Sequence, residues 1–191
     1  MAFILNAIVT ILEMIGLYMS FSRRKWHNFI YYTQISNLLT FVSSLLYLLT
    51  KGNVSYLRYL SSVMLTMTFL ITVFVLVPMG GDFRELMLQG NGIYHHTLCP
   101  IISVFSYLLF EKHAAMWQLP VAVTIIYGLT MMYLNYIRKV DGPYPFFRVH
   151  QQSVLASVIW ICVLTVLIGL LSVGIIKAGA LLQLHFAILR P

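Results

Sequence analysis

Long apolar runs separated by short polar breaks dominate the pattern of hydrophobic and polar positions along the chain. Each run has about 20 residues, the length that an α-helix needs to cross the hydrocarbon core of a bilayer. The runs stay apolar throughout instead of alternating at every second residue, so they predict helices and not the strands of a membrane barrel. The predicted spans cover residues 2–20, 29–50, 57–79, 93–111, 114–137 and 153–177.

The breaks between these runs leave no room for a soluble module. The whole chain, residues 1–191, is therefore predicted to form a single all-α domain, a polytopic membrane bundle of about six transmembrane helices. The first run has neither a basic region before it nor a small-residue cleavage site after it, which favours a retained span over a signal peptide. The tail Leu181–Pro191 is too short to span again and is predicted to lie along the interface.

Composition supports the membrane class and argues against nucleic acid as a partner. Hydrophobic residues make up 60% of the chain and charged residues 9%, whereas soluble domains carry about 25% charged residues. The net charge of +7 comes from basic residues beside the apolar runs, where they act as topology signals and headgroup contacts. The two cysteines, Cys99 and Cys162, fall inside apolar runs and are predicted to be buried free thiols.

Alternating crossings place the first, third and fifth loops on one face of the membrane, called side A below. The basic residues of side A outnumber those of the opposite side by seven to five, which weakly favours side A as cytoplasmic. Those of side A are Arg23, Arg24, Lys25, Arg84, Arg138, Lys139 and Arg148; those of the opposite side are Lys51, Arg58, Lys112, Lys177 and Arg190.

Two polar signatures interrupt the apolar runs, one at residues 32–37 (Tyr-Thr-Gln-Ile-Ser-Asn) and one at residues 94–100 (Tyr-His-His-Thr-Leu-Cys-Pro). Polar groups in hydrocarbon are costly, so a membrane protein that carries them is expected to use them. Thr33 lies roughly 6 Å below the side-A surface at 1.5 Å per residue, and His95 and His96 enter the fourth run from the same side. An even number of crossings separates the signatures, which are therefore predicted to share a site.

Several residues of the second run lie on one polar face at three- and four-residue steps. For Ser36, Thr40 and Ser44 the pattern favours hydrogen bonding between packed helices. For Thr33 and Asn37, at the mouth of the run, packing and function are equally supported. These residues together form the stripe Thr33, Ser36, Asn37, Thr40 and Ser44.

The adjacent histidines diverge by about 100° on a helix, so one faces the bundle and the other a loop or the headgroups. A buried structural histidine remains the alternative for each of them. Glu13 is the one carboxylate placed well inside an apolar run by the sequence pattern, and it is neutral, paired or functional there. No metal site or cofactor is expected, since His27, His113, His150, Glu13 and Asp82 have no i, i+4 pairing with His95 or His96.

A threonine and a histidine at this depth suit acyl transfer from a lipid ester. The hydroxyl is a weak nucleophile until a base takes its proton, and histidine is the usual base. Asn37 is a candidate donor to the developing oxyanion, and Glu13 a candidate for orienting the imidazole. Gln34 is a further candidate for binding the substrate. The expected substrates are membrane lipids or fatty-acyl esters, and the acyl-enzyme is resolved by water, an alcohol or an amine.

Three segments resemble a family of uncharacterised bacterial integral membrane proteins. Residues 28–39 resemble its "YxT…SNLL" segment, residues 94–100 its histidine–proline element, and residues 141–147 its "G-x-YP-F" turn. The resemblance that they carry extends over most of the chain, from about residue 25 to about residue 155. The pattern is more distantly similar to the androgen-induced and androgen-dependent TFPI-regulating protein family, multi-span hydrolases of fatty acid esters of hydroxy fatty acids.

The resemblance implies a threonine nucleophile at Thr33 and a histidine at His95 or His96. The histidine is His95 if five residues are counted back from Pro100, and His96 if four are counted; His95 is slightly preferred. The implied location is a bacterial cell membrane, with the chain crossing several times.

Two further functions remain open from the sequence. A membrane acyltransferase acting on lipids would use the same residues. A non-enzymatic transporter of lipids or small molecules would line a route with the polar stripe, but the chain shows neither inverted repeats nor matching broken half-helices. No feature of the sequence specifically indicates a structural or assembly role.

Overall fold

The protein is a helical bundle in the computed structural model, which describes residues 1–113 and 116–188. Short 3₁₀ turns cover Lys25–Ile30 and Pro145–Phe147, and π-helical segments cover Thr72–Leu76, Arg84–Leu88 and Ile93–Leu98. The described residues contain no strand, so the predicted all-α class is confirmed. The long helices are α1 (Ala2–Arg24), α2 (Tyr32–Leu49), α3 (Ser55–Ile71), α4 (Cys99–Phe110), α5 (Gln118–Tyr136) and α6 (Val154–Ile188).

Five helical segments among the described residues are long and apolar enough to cross a membrane. The second predicted span also forms a helix, the 18-residue α2, which contacts both α1 and α3. Its buried face is polar. The chain is a multi-pass membrane protein. The five segments are Ala2–Ser22, Ser55–Leu76, Ile93–Phe110, Gln118–Tyr136 and Val154–Leu182.

Apolar side chains point outward from the bundle, and many polar side chains point inward. Phe74 and Leu170 are exposed, whereas Asn6 and Ser172 are buried. This distribution fits a lipid surround, in which apolar side chains lose nothing by exposure and polar groups need partners inside. Both cysteines are free, but only Cys99 is buried; the prediction was wrong for Cys162, which faces outward from α6.

Hydroxyl pairs join α2 to α3. The Ser36 and Thr68 hydroxyls lie 3.0 Å apart, and those of Ser43 and Ser61 lie 2.9 Å apart. Such pairs satisfy polar groups between helices where water is absent. The buried polar face of α2 therefore packs against α3.

A buried ion pair closes the end of the bundle opposite side A. The Arg58 Nε donates to Glu111 Oε2 at 2.8 Å and the Arg58 Nη2 donates to Glu111 Oε1 at 2.9 Å. The Glu111 carboxylate also accepts from Asn6 and Ser106, at 2.8 and 2.7 Å, and Ser44 accepts from Arg58 at 3.0 Å. This cluster ties together α1, α2, α3 and α4. Glu13 is thus not alone as a carboxylate inside the bundle.

The last helix is longer than predicted. Residues 181–188 continue α6 without a break, so the prediction of a separate interfacial tail was wrong for them. Nothing between Val154 and Ile188 breaks a helix, because glycine is tolerated in membrane helices. The last part of the predicted tail, residues 189–191, lies outside the described residues.

Candidate functional site

The three loops of side A meet around one polar cavity of about 860 Å³. The first loop supplies Asn28 and Tyr31, the third supplies most of residues 79–92, and the fifth supplies Pro143, Tyr144 and Pro145. The loops that were predicted to share a face of the membrane therefore surround one space. Its polar lining includes Ser20, Asn28, Thr33, Gln34, Asn91 and His96.

Thr33 lies in the first turn of α2, where its hydroxyl contacts Tyr144 from the fifth loop. The Thr33 Oγ1 and the Tyr144 phenol oxygen are 2.7 Å apart, and the Thr33 backbone N–H donates to the same phenol oxygen at 3.3 Å. Tyr144 thereby satisfies an N–H group that the start of a helix leaves without an intrahelical partner. Its ring stacks on Phe146, with centroids 5.2 Å apart.

Burial raises the pKa of Tyr144 to about 12, because the phenolate loses its hydration. The phenol is therefore protonated at neutral pH. With its oxygen accepting from the Thr33 N–H, its own proton is available for Thr33 Oγ1. When Tyr144 donates this proton, the Thr33 hydroxyl proton is left available for a base, which is the arrangement that a nucleophile needs.

His96 is the histidine that borders this cavity. Its Nδ1 is buried and has no hydrogen-bond partner among the described residues. The amide oxygen Oε1 of Gln34, in the wall of the same cavity, is also buried without a described partner. Buried polar atoms are nearly always paired, so two unpaired atoms beside one cavity mark a place for water or a ligand.

His95 points the other way and is fully buried. Its Nδ1 lies 3.2 Å from Glu13 Oε2 on α1, and its Nε2 lies 3.0 Å from the hydroxyl of Ser20, about two turns further along the same face of α1. The Asn91 amide donates to the same hydroxyl at 2.8 Å. Of this group, Ser20 and Asn91 border the polar cavity.

The helical span that carries the two histidines is locally widened. Both lie in the π-helical segment Ile93–Leu98, whose last hydrogen bond runs from the Cys99 N–H to the Tyr94 carbonyl. Pro100 follows directly, and proline has no N–H for the carbonyl four residues earlier, that of His96. The wider turn accommodates the proline within a continuous helical span. π-Helical turns of this kind are frequent at functional sites.

Gly16 allows the close approach of α1 to His95. A Cβ atom at this position would lie 2.8 Å from the His95 Cε1 and 2.9 Å from the Tyr94 Cβ. Both distances are shorter than real Cβ contacts, and neither neighbour is the end of a flexible chain. Glycine is therefore required sterically at this point of α1.

Gly16→Ala is expected to lower the free energy of unfolding by about 1–3 kcal/mol, since the added methyl group overpacks the helix contact. Alanine is the better helix former, so a purely local effect would have the opposite sign. Denaturant titration in mixed micelles measures the difference. Gly174→Ala is the control, because a Cβ there meets nothing within 4 Å; equal stability of the two variants would contradict the steric argument.

The structure divides the residues that the sequence singled out into two layers. Thr33, Gln34 and His96 border the cavity, whereas Glu13 and His95 lie behind it. Asn37 is fully buried, and its amide donates to the Thr33 carbonyl at 2.6 Å. No hydrogen bond joins Thr33 to either histidine among the described contacts. The assigned roles stay predictions.

Sequence reasoning missed three polar residues of this region: Ser20, Asn91 and Tyr144. Tyr144 belongs to an aromatic cluster that is typical of a membrane interface, and Asn91 to a glycine-rich loop. Ser20 could have been found from the sequence, because it follows Glu13 by seven residues and so lies on the same face of the predicted first helix.

A narrow apolar cleft of about 50 Å³ adjoins the polar cavity. Thr33, Leu76 and Tyr144 border both spaces. The cleft continues between α3, α5 and α6, where Met67, Ile71, Gly128, Leu129, Ile161 and Leu164 line it.

The fold and this site define a multi-pass α-helical membrane protein with a polar cavity at one end. The described residues contain no group of three or more His, Cys, Asp or Glu side chains that could hold a metal ion. The chain matches no protein-family model, no curated protein and no solved structure.

Proposed function

We propose that this protein is an integral-membrane lipid-ester hydrolase with Thr33 as nucleophile. The observation that carries the proposal is the position of Thr33 where the apolar cleft meets the polar cavity. A fatty-acyl ester has the same division, with an apolar chain on one side of the carbonyl and a polar group on the other. A chain in the cleft brings the ester carbonyl to Thr33.

The reaction begins when Thr33 Oγ1 attacks this carbonyl. The hydroxyl proton passes to His96, the histidine of the same cavity, directly or through a water molecule. The Tyr144 phenol, 2.7 Å from Oγ1, is a donor for the negative charge that develops on the oxygens of the tetrahedral intermediate. The alcohol leaves with the proton from His96, and water then releases the fatty acid by the same steps in reverse.

A membrane acyltransferase is the second candidate, because the polar cavity of about 860 Å³ has room for an acceptor alcohol beside the acyl chain. The two functions share the first half of the reaction. Adding a long-chain alcohol to the assay separates them: a transferase forms the new ester, and a hydrolase releases free fatty acid.

We also propose that the cavity faces the cytoplasm of a bacterial cell. The support is the excess of basic residues on side A, where Lys25, Arg138, Lys139 and Arg148 lie close to the predicted membrane surface. Labelling of a cysteine introduced at Lys139 by an impermeant maleimide tests this orientation. If intact cells were labelled as strongly as lysed cells, the proposed orientation would be wrong and the cavity would face the outside of the cell.

The proposal is tested by the hydrolysis of esters that differ in chain length, using the purified protein in detergent. Gly128→Leu is expected to lower kcat/KM for a palmitoyl ester about tenfold relative to a butyryl ester. A Cβ at Gly128 lies in ordinary contact with the Phe147 ring, at 3.7 Å, so a larger side chain extends into the cleft without disturbing the backbone.

Gly174→Leu is the matched control on the outward face of α6, with nothing within 4 Å of its Cβ. It is expected to leave the ratio of the two kcat/KM values unchanged. Absence of hydrolysis by the wild type across the ester series would contradict the proposed function. Hydrolysis with an unchanged chain-length ratio in Gly128→Leu would place the acyl chain elsewhere.

A further inference from the structure

Ser20, His95 and Glu13 form a continuous hydrogen-bonded chain that leads from the wall of the polar cavity into the bundle. The Ser20 Oγ lies 3.0 Å from the His95 Nε2, and the His95 Nδ1 lies 3.2 Å from the Glu13 Oε2. A hydroxyl, an imidazole and a carboxylate joined in this order form the arrangement that activates serine in unrelated hydrolases. None of these contacts involves Thr33.

We propose that Ser20 is a second nucleophile of the polar cavity, activated by His95 and Glu13, and that it accepts an acyl group from a lipid ester. The inference rests on the proposed function only for the class of acyl donor. It adds a nucleophile that Thr33 chemistry does not require.

Neighbouring amides fix the direction of the hydrogen bonds. Asn91 Nδ2 donates to the Ser20 hydroxyl oxygen at 2.8 Å, so the hydroxyl proton is free to be donated to His95 Nε2. The imidazole then carries its proton on Nδ1 and donates it to Glu13. Asn28 donates to the Ser20 backbone carbonyl at 2.6 Å and holds this turn of α1 in place.

The positions of the three residues relative to the cavity fit this chemistry. Ser20 borders the cavity, while His95 and Glu13 are fully buried behind it. A network that served only to satisfy Glu13 inside the bundle would not need a hydroxyl in the cavity wall. Gly16 contributes by letting the His95 ring approach α1.

The step is a conventional acyl transfer. The Ser20 Oγ forms a bond to the acyl carbon while its proton moves to His95 Nε2. The bond from the acyl carbon to the alcohol oxygen breaks, and His95 returns the proton to the leaving alcohol. Water then attacks the acyl-serine, gives a proton to His95, and Ser20 leaves and recovers that proton. Glu13 stabilises the imidazolium in both halves.

The test is labelling of the full-length protein in detergent with a long-chain alkyl fluorophosphonate, followed by peptide mapping of the adduct by mass spectrometry. Attack by a hydroxyl forms the O–P bond and releases fluoride. In the wild type we expect an adduct on Ser20, and in Thr33→Ala we expect the same adduct. His95→Asn and Glu13→Gln are each expected to slow labelling of Ser20 about a hundredfold.

Ser22→Ala is the matched control, since Ser22 is exposed on the same helix and its hydroxyl donates to the Tyr18 carbonyl; its labelling should equal that of the wild type. An adduct on Thr33 alone overturns the role of Ser20 and leaves the proposed function standing. An adduct on Ser20 alone supports the inference and removes Thr33 as the nucleophile. Labelling of neither residue overturns both. The mapping on wild type gives these answers even if a variant fails to fold.

Discussion

Arg58→Met is expected to lower the free energy of unfolding by about 3–5 kcal/mol, the usual cost of leaving one partner of a buried ion pair without its counter-ion. The Arg58 and Glu111 side chains are inaccessible to solvent, at 0% and 1% exposure, and the guanidinium makes two hydrogen bonds to the carboxylate. Methionine is close in length and apolar, so the loss reports the ion pair and not a cavity.

Denaturant titration in mixed micelles measures this loss, with Arg148→Met as control because Arg148 is exposed. The double variant Arg58→Met with Glu111→Leu should recover much of the stability, since no unpaired charge then remains in the bundle. If Arg58→Met were as stable as the control to within about 0.5 kcal/mol, the ion pair would not hold the four helices together.

In a Ser20→Ala background, which removes the other proposed nucleophile, Thr33→Ala is expected to reduce kcat for ester hydrolysis at least about a thousandfold, because the attacking oxygen is lost. Thr33→Ser retains the oxygen and is expected to stay active. The fold should persist in both variants, because the Thr33 backbone N–H still donates to Tyr144. Initial rates with a palmitoyl ester, under saturating substrate, give kcat.

Thr40→Ala is the matched control for this prediction. Thr40 lies on the same face of α2 and is fully buried, and its hydroxyl donates only within its own helix, to the Ser36 carbonyl at 2.8 Å. Its loss should leave kcat unchanged. Equal kcat values for Thr33→Ala and Thr40→Ala would show that Thr33 is not the nucleophile.

The long apolar runs predicted the helices well because length and hydropathy are local properties. The second run, residues 29–50, corresponds to α2 at Tyr32–Leu49. The Arg58–Glu111 pair was not predictable in this way. Its partners are 53 positions apart in the sequence, and their meeting depends on how α3 and the end of α4 are rotated about their axes.

The same limit applies to the candidate site. Helical geometry predicts that His95 and His96 diverge, but only packing decides that His96 borders the cavity and His95 turns to Glu13. In the sequence Ser20 is an ordinary polar residue near the end of a span, and only the fold shows that it contacts His95. Thr33 was accessible to sequence reasoning because a polar residue in an apolar run is conspicuous by itself.

The polar face of α2 has a consequence for how the chain enters the bilayer. α2 carries a buried stripe of hydroxyl and amide groups, and such groups are costly for an isolated helix surrounded by hydrocarbon. Its hydroxyls find partners on α3, which α2 contacts along with α1. We therefore expect α2 to be retained at the translocon until α3 emerges, so that the first three helices enter the lipid together.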